Sequence, residues 1–130
     1  FLNKLNILNT AEIELDEVGT PLPLNWEKCK LETVSYGHGI TTTLLQVGSA
    51  YATLVNGGFL IKPTIIKNID NKNFDERVIS YETSIEIQKI LRKVVTEKHG
   101  TAHLADAFGY SVSGKTGTAQ YYSNENKNIN

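Results

Sequence analysis

The sequence has few features that would identify a partner or a compartment. Its 130 residues carry 13 basic and 14 acidic side chains, which give a formal net charge of −1. Neither nucleic acid nor an anionic membrane surface is therefore favoured as a partner. A single cysteine, Cys29, excludes a disulfide within the chain. No apolar run approaches the roughly 20 residues that span a bilayer.

The apolar residues of the sequence suit a modest core of mixed α/β structure. The chain is 40% hydrophobic, and its apolar residues occur with both helical and strand-like periods. Helical spacing begins at Thr43, where Thr43 and Gln46 form a capping box. The pattern predicts a helix to about Val55, buried on most sides, that ends at Gly57 and Gly58 because glycine accepts the left-handed conformation of a helix end.

A second helix is predicted after residue 80. Either Ser80 or Thr83 can act as its N-cap, and Gly100 is expected to stop it. The apolar positions of this helix form one stripe: Ile87, Ile90, Leu91, Val94 and Val95. The basic side chains off that stripe are interpreted as a solvated face: Lys89, Arg92 and Lys93.

The remaining segments predict short strands and connections. Residues 1–8 fit the end of a helix, and residues 70–73 fit a turn. Trp26 and Cys29 are interpreted as structural. Short strands or extended segments are expected at 11–16, 59–61, 64–66, 77–79 and 112–120. The predicted fold class is α/β (α+β), with helices packed on an antiparallel sheet.

Residues 112–120, VSGKTGTAQ, are the most chemically suggestive stretch. If the stretch is a strand, Lys115 and Gly117 face one side and Thr116 and Thr118 face the other. The glycines let a ligand approach the backbone closely. A cation, two hydroxyls and open N–H groups suit a carboxylate or a developing oxyanion. The simpler alternative is an edge strand with an incidental lysine.

The same stretch also matches a nucleotide-binding pattern. Residues 109–116 fit G-x-x-x-x-G-K-[ST], the phosphate-binding P-loop, which needs a buried strand before it and a helix after it. Residues 101–108 lack a β-branched run, and Gly117 is a poor helix residue. We therefore disfavour an NTP-binding module, although a nucleotide-dependent shift in melting would revive it.

The histidines give little support for other chemistry. His38 lies in a glycine-rich turn without a neighbouring carboxylate, so an exposed or capping role is favoured over catalysis. His99 and His103 are four residues apart, with Asp106 nearby, but Gly100 interrupts a continuous helix between them. No metal site and no cofactor are predicted.

Three blocks follow one another in a recognisable order. They are SYGHGI at 35–40, the helix that contains AYA at 50–52, and GKTGTA at 114–119. This order resembles the transpeptidase domain of class B penicillin-binding proteins, and most closely the division-type, FtsI-like peptidoglycan D,D-transpeptidases. Residues 10–17 are similar to the family's segment after its second motif. Leu44 departs from the family, which often has proline there.

The family has three motifs, S-x-x-K, S-x-N and K-T-G, and only the third occurs in these residues. We therefore expect residues 1–130 to be the middle-to-late part of a single transpeptidase domain. The nucleophile and second motif are expected upstream of Phe1, and the strand after the Lys115 strand is expected beyond Asn130. These residues alone are predicted to be inactive.

The resemblance implies a reaction for the parent protein. A serine would attack the D-Ala–D-Ala bond of a stem peptide, and a neighbouring amine would then take the acyl group. Lys115 would supply positive potential and take part in proton transfer, and the hydroxyls of Thr116 and Thr118 would bind the substrate carboxylate. The N–H of Thr118 would complete the oxyanion hole, and Gly117 would keep the cleft floor low.

The resemblance also implies partners and a location. Expected ligands are peptidoglycan stem peptides and β-lactams, and divisome membrane proteins would bind the parent. The parent would be anchored in the bacterial inner membrane with this domain on the periplasmic face, and these residues would not contact the membrane. Alternatives left open are a serine β-lactamase, a D,D-carboxypeptidase, and a non-catalytic β-lactam sensor or structural domain.

Overall fold

The computed structural model describes residues 1–16, 18–23, 30–67 and 76–117. Three α-helices lie in this part of the chain, followed by a short 3-10 turn. The helices are α1 (Lys30–Ser35), α2 (Leu44–Val55) and α3 (Tyr81–Thr96), and the 3-10 turn is His103–Ala105. None of the helices described is long and apolar enough to cross a membrane.

The predicted boundaries of α2 are confirmed. Thr43 is the N-cap, and its hydroxyl accepts a hydrogen bond from the backbone N–H of Gln46 at 3.2 Å. The Gln46 amide oxygen in turn accepts from the backbone N–H of Thr43 at 2.7 Å, which completes the capping box. Gly57 and Gly58 follow with φ of 94° and 92°, the left-handed conformation that glycine adopts without a Cβ penalty.

The prediction that α2 is buried on most sides is wrong for the described structure. One face, with Gln46, Ala50 and Thr53, is buried. The side chain of Leu44 is 93% exposed, and Val47 and Tyr51 are also exposed. Among the described residues, α3, the N-terminal segment and Ile61 contact this helix, and they cover a single face of it.

Hydrogen bonds from buried side chains join α2 to α3. Ser84 is fully buried, donates to the carbonyl of Leu54 at 2.6 Å and accepts from the N–H of Gly57 at 3.1 Å. The side-chain amide of Gln88 donates to the carbonyl of Val55 at 2.9 Å. The first half of α3 therefore satisfies carbonyl groups at the C-terminal end of α2 that have no partner within that helix.

Ser80, rather than Thr83, is the N-cap of α3. Its hydroxyl accepts from the backbone N–H of Thr83 at 3.1 Å. The helix ends at Thr96, before Gly100, because Glu97 already adopts an extended conformation. Gly100 does not end the helix but lets the chain after it pass close to α3, because a Cβ there would lie 2.3 Å from the carbonyl oxygen of Val94. Of the predicted apolar stripe, Val95 is buried and Ile90 is exposed.

The predicted antiparallel sheet does not form among the described residues. Their one β-pairing is an isolated antiparallel bridge between Phe59 and Arg77, flanked by hydrogen bonds from Leu60 N–H to Glu76 O at 2.8 Å and from Val78 N–H to Gly58 O at 2.7 Å. Apolar–polar alternation predicts that an extended segment has one apolar and one polar face. A strand also needs the backbone of a second segment to pair with. The segments predicted at 11–16, 64–66 and 112–117 have no such partner in the described part of the chain.

Side-chain hydrogen bonds, rather than β-strand pairing, join the N-terminal segment to the residues after α2. Residues 1–8 form turns rather than a helix end, with Leu5 N–H bonded to Phe1 O at 3.2 Å. The Glu14 carboxylate accepts from the Thr64 hydroxyl at 2.5 Å and from the Ile65 N–H at 3.1 Å. Those hydrogen bonds lower the pKa of Glu14, with the Thr64 hydroxyl as the largest cause.

Several predictions fall outside the described residues. These are the structural roles of Trp26 and Cys29, the turn at 70–73, and everything from Thr118 onward. Helix α1 was not predicted, because six residues are too few to show a helical period.

Candidate active-site segment

The segment 112–117, which we call the K-T-G segment, lies against the last two turns of α3. The N–H of Gly114 donates to the carbonyl of Leu91 at 3.2 Å. The guanidinium of Arg92 donates to the carbonyl of Val112. Two consecutive residues of α3 therefore hold the main chain on both sides of Ser113.

The loop between α3 and the K-T-G segment folds back on the helix end. Ala102 N–H donates to Val94 O at 3.1 Å, and Gly100 N–H donates to Glu97 O at 2.8 Å. Further along, Tyr110 N–H donates to Ala107 O at 3.1 Å across a turn in which Gly109 has a φ of 84°. This path brings the K-T-G segment alongside α3.

Lys115 is exposed and bends back onto its own segment. Its ammonium donates to the carbonyl oxygen of Thr116 at 2.6 Å and lies 3.4 Å from the Thr116 hydroxyl. The sequence predicted opposite faces for these two side chains, but the flexible four-carbon stem of lysine brings the charge to its neighbour. The ammonium carries three donors, so it can exchange these partners for an anionic ligand.

Thr116 contacts the loop after α3 as well as Lys115. Its hydroxyl shares a 3.2 Å hydrogen bond with the hydroxyl of Thr101. Both residues are exposed, so water and ligands can reach this pair. A line of polar groups thus runs from the Lys115 ammonium through Thr116 to Thr101.

Gly114 and Gly117 leave open space beside the segment. A Cβ added at either position would meet no atom within 4 Å. Neither glycine has a φ in the left-handed region. Glycine at these positions therefore leaves space beside the backbone and is not required by backbone strain. The close approach of a ligand at Gly117 stays a prediction.

Three of the four predicted site residues lie in the described part of the chain. Lys115, Thr116 and Gly117 are contiguous, and the first two are in hydrogen-bond contact. Thr118 lies outside the described residues, so its predicted contacts with a carboxylate and an oxyanion stay predictions.

The structural context of a P-loop is absent from the described residues. A 3-10 turn and a loop precede Gly109 in place of a strand. No helix begins between Gly114 and Gly117, where the phosphate-binding motif requires one.

The histidines have other contacts. His103 Nδ1 lies 3.2 Å from the carbonyl oxygen of Gly100, and Asp106 pairs with Arg92 at 3.0 Å. In the part of the chain that is described, no cluster of three His, Cys, Asp or Glu side chains could hold a metal ion. His38 is exposed beside the Tyr36 ring, with the ring centroids 6.4 Å apart.

Sequence reasoning missed the role of Arg92. It was assigned to a solvated face, yet its side chain is 33% exposed and binds both Asp106 and the Val112 carbonyl. The one available signal was its position next to Leu91 at the edge of the apolar stripe, where a long side chain can pack its stem and project its charge.

Comparison with known proteins supports the resemblance. The profile of the penicillin binding protein transpeptidase domain matches residues 1–130. A probable peptidoglycan D,D-transpeptidase FtsI of Caulobacter vibrioides is 36% identical over 126 residues, which are 94% of this chain and 21% of that protein. Stage V sporulation protein D of Bacillus subtilis is 39% identical over 99 residues, 68% of this chain and 15% of that protein.

Solved structures show the same fold. The transpeptidase domain of Burkholderia pseudomallei penicillin-binding protein 3, in its apo form, superposes with a TM-score of 0.85 at 28% identity, and the match covers 95% of this chain and 38% of that chain. The present chain spans about a fifth of the length of the FtsI relative. On the profile match, the sequence identity and the shared fold, this chain belongs to the penicillin-binding protein transpeptidase family.

Proposed function

We propose that these residues are the K-T-G-bearing, middle-to-late part of the transpeptidase domain of a class B, FtsI-like penicillin-binding protein, and that the parent crosslinks peptidoglycan. The observation that carries the proposal is the exposed Lys115 ammonium between two glycines with open space beside them. Family membership and the relatives named as peptidoglycan D,D-transpeptidases support it.

In this reaction a serine outside these residues is the nucleophile. Its Oγ attacks the carbonyl carbon of the D-Ala–D-Ala bond, the C–N bond breaks, and D-alanine leaves with a proton. A neighbouring stem-peptide amine then attacks the acyl-enzyme carbonyl carbon, the new amide C–N bond forms and the ester C–O bond breaks, and the proton that the amine loses returns to the serine oxygen. No serine in these 130 residues has lysine three positions later, so we assign the nucleophile to the remainder of the parent.

The K-T-G segment and the residue after it, Thr118, supply the electrostatics of this scheme. Lys115 attracts the terminal carboxylate of the donor peptide and takes part in proton transfer, and the hydroxyls of Thr116 and Thr118 donate to that carboxylate. The N–H of Thr118, together with that of the serine, stabilises the oxyanion. Gly117 leaves room for the peptide backbone, which pairs along this segment as an added strand.

The finer features of fold, partners and location are part of the same proposal. In the parent, the K-T-G segment pairs within an antiparallel sheet against which the helices pack. The ligands are stem peptides and β-lactams, and divisome membrane proteins bind the parent, which is anchored in the bacterial inner membrane with this domain on its periplasmic side. The coverage of 38% of a solved transpeptidase domain supports a larger surrounding fold.

The test is covalent labelling of the full-length parent with a fluorescent penicillin, followed by mass-spectrometric mapping of the labelled peptide. We expect one labelled serine outside residues 1–130, and no label on residues 1–130 expressed alone. A label on a serine within this chain, or a folded parent that takes no label, would contradict the assignment. Incubation with a stem-peptide donor and an amine acceptor then separates transpeptidation from hydrolysis by a carboxypeptidase or β-lactamase.

A further inference from the structure

Arg92 connects α3 to the K-T-G segment through its side chain. One terminal nitrogen, Nη1, donates to the Asp106 carboxylate at 3.0 Å and also to the Val112 carbonyl oxygen. The side chains of Arg92 and Asp106 are 33% and 49% exposed, so the pair is half-buried rather than a fully solvated ion pair.

The two acceptors lie at different points of the chain. Asp106 follows the 3-10 turn after α3, and Val112 lies three residues before Lys115. The next residue of the segment to bond to α3 is Gly114, through its N–H to Leu91 O at 3.2 Å. The guanidinium therefore holds the loop and the start of the K-T-G segment at one point, immediately before the residues proposed to act.

The chemistry of the guanidinium suits this task. Its N–H donors have a fixed planar arrangement. The Val112 carbonyl is a neutral acceptor. The hydrogen bond from Arg92 therefore fixes its direction and its distance from α3. The Asp106 carboxylate restricts the rotation of the guanidinium and thereby orients the donor that reaches Val112.

We propose that Arg92, oriented by Asp106, is a positioning residue that sets the K-T-G segment against α3 and so places Lys115 for acyl transfer. Arg92 does not itself contact the reacting groups. The inference rests on the proposed transpeptidase function and adds to it a pair of residues outside the K-T-G motif.

The experiment measures acylation of the full-length parent by a chromogenic or fluorescent penicillin and separates the non-covalent dissociation constant from the first-order acylation rate. We expect Arg92→Ala to lower the acylation rate by about 10- to 100-fold, the range for a displacement near 1 Å of a catalytic group. The dissociation constant should change less than the rate. Lys93→Ala, which removes the exposed neighbouring charge on α3, should leave both unchanged.

Two further variants distinguish positioning from a general loss of structure. Arg92→Lys keeps one donor and should restore part of the acylation rate. Asp106→Asn should lower the rate by less than Arg92→Ala, because the guanidinium still reaches Val112. The double variant Arg92→Ala/Asp106→Asn should be no slower than Arg92→Ala alone, since Asp106 acts through Arg92 and the two effects should not add.

Melting temperature is recorded for every variant. If Arg92→Ala fails to fold, the proposal is tested with Arg92→Lys and Asp106→Asn. Lower acylation rates of these variants at an unchanged melting temperature support the proposal. Unchanged acylation rates overturn it. Unchanged acylation in a folded Arg92→Ala variant, or losses equal to those of Lys93→Ala, also overturn it. A wild-type parent that takes no penicillin label would instead refute the proposed function, so the two failures are distinguishable.

Discussion

The two halves of α3 bind their neighbours in contrasting ways. The first half contacts α2 through Ser84, whose side chain is fully buried and makes two hydrogen bonds to main-chain groups. The second half contacts the K-T-G segment, in which Ser113, Lys115 and Thr116 are all exposed. We call the first contact the helix junction.

This difference in burial changes the cost of a hydrogen bond that is not made. At the helix junction, unmade hydrogen bonds would leave buried polar groups unpaired, which costs about 1–3 kcal/mol each. At the K-T-G segment, water can bind the polar groups that make no hydrogen bond within the protein, so these exposed side chains remain available to a ligand. Substitutions should therefore reduce stability at the helix junction and reduce activity at the K-T-G segment.

The largest effect is expected at Lys115. In the full-length parent, Lys115→Ala should slow acylation on the order of 1,000-fold, since it removes the charge that we propose attracts the substrate carboxylate. Thr118→Ala should slow acylation by about 10- to 150-fold, because it removes the hydroxyl that we propose donates to the carboxylate and keeps the backbone N–H. The melting temperature should hardly change in either variant.

The second-order acylation rate, measured for acid and esterified ligands, checks this prediction. The loss should be greater for the acid, because the ester lacks the anionic carboxylate. Equal losses for both forms would show that the K-T-G segment acts through its structure or through proton transfer and not through carboxylate recognition.

Two glycine substitutions give the next largest contrast. Gly58, at the helix junction, has a φ of 92°, and a Cβ there would lie 2.2 Å from the Ile79 carbonyl oxygen. Gly58→Ala should lower the free energy of unfolding by more than about 3 kcal/mol, because backbone strain and overpacking add. Gly114→Ala, with open space at its Cβ, should change it by less than about 0.5 kcal/mol.

Denaturant unfolding of the intact parent gives both values. If Gly114→Ala destabilises the protein as much as Gly58→Ala, the K-T-G segment is as tightly packed as the helix junction, and the contrast between the two regions fails.

A pair of serines tests the same contrast with a smaller change. Ser84→Ala leaves the Gly57 N–H and the Leu54 carbonyl without their side-chain partner, and should cost about 1–3 kcal/mol of unfolding free energy. Ser113→Ala, at an exposed position of the K-T-G segment, is the matched control and should cost less than about 0.5 kcal/mol. Amide exchange at Gly57 should quicken in the first variant and not in the second.

The smallest effect concerns pH at the start of α3. The pKa of Glu82 is lowered from its ordinary value of 4.5, first by its own backbone N–H and then by the Ser80 hydroxyl. A carboxyl group whose pKa is lowered on folding stabilises the folded state above its unfolded pKa, and this stabilisation disappears as the pH falls through the folded value.

We therefore expect wild type to exceed Glu82→Gln in melting temperature by a small, constant amount near neutral pH. The difference should shrink once the pH falls below about 4.5. A difference that is the same at neutral and acidic pH would show that the carboxylate contributes nothing through its ionisation.

Local rules explain which parts of the fold were predictable. The ends of α2 depend on Thr43 and Gln46, three residues apart, and on Gly57 directly after the C-cap, so the required groups lie within a few residues. The family was recognisable for a similar reason, because the order SYGHGI, AYA and GKTGTA can be compared without knowing any contact.

Strand predictions failed for the opposite reason. The alternation of residue types at 112–117 predicted a strand but did not identify what the backbone would meet. In the structure Gly114 and Val112 bond to Leu91 and Arg92 of a helix. A strand is defined by its partner, and the partner is a tertiary property.

The sequence by itself determined the capping box of α2, the glycine turn after α2 and the chemical character of the K-T-G segment, because each depends on neighbouring residues. Only the tertiary structure decided that the Gln46 amide also donates to the Ile7 carbonyl at 3.1 Å, that Ser84 is buried against α2, and that Arg92 reaches Val112. These contacts join residues 20 to 39 positions apart. Their formation depends on how the helices and the N-terminal segment pack, which no local pattern of residue types encodes.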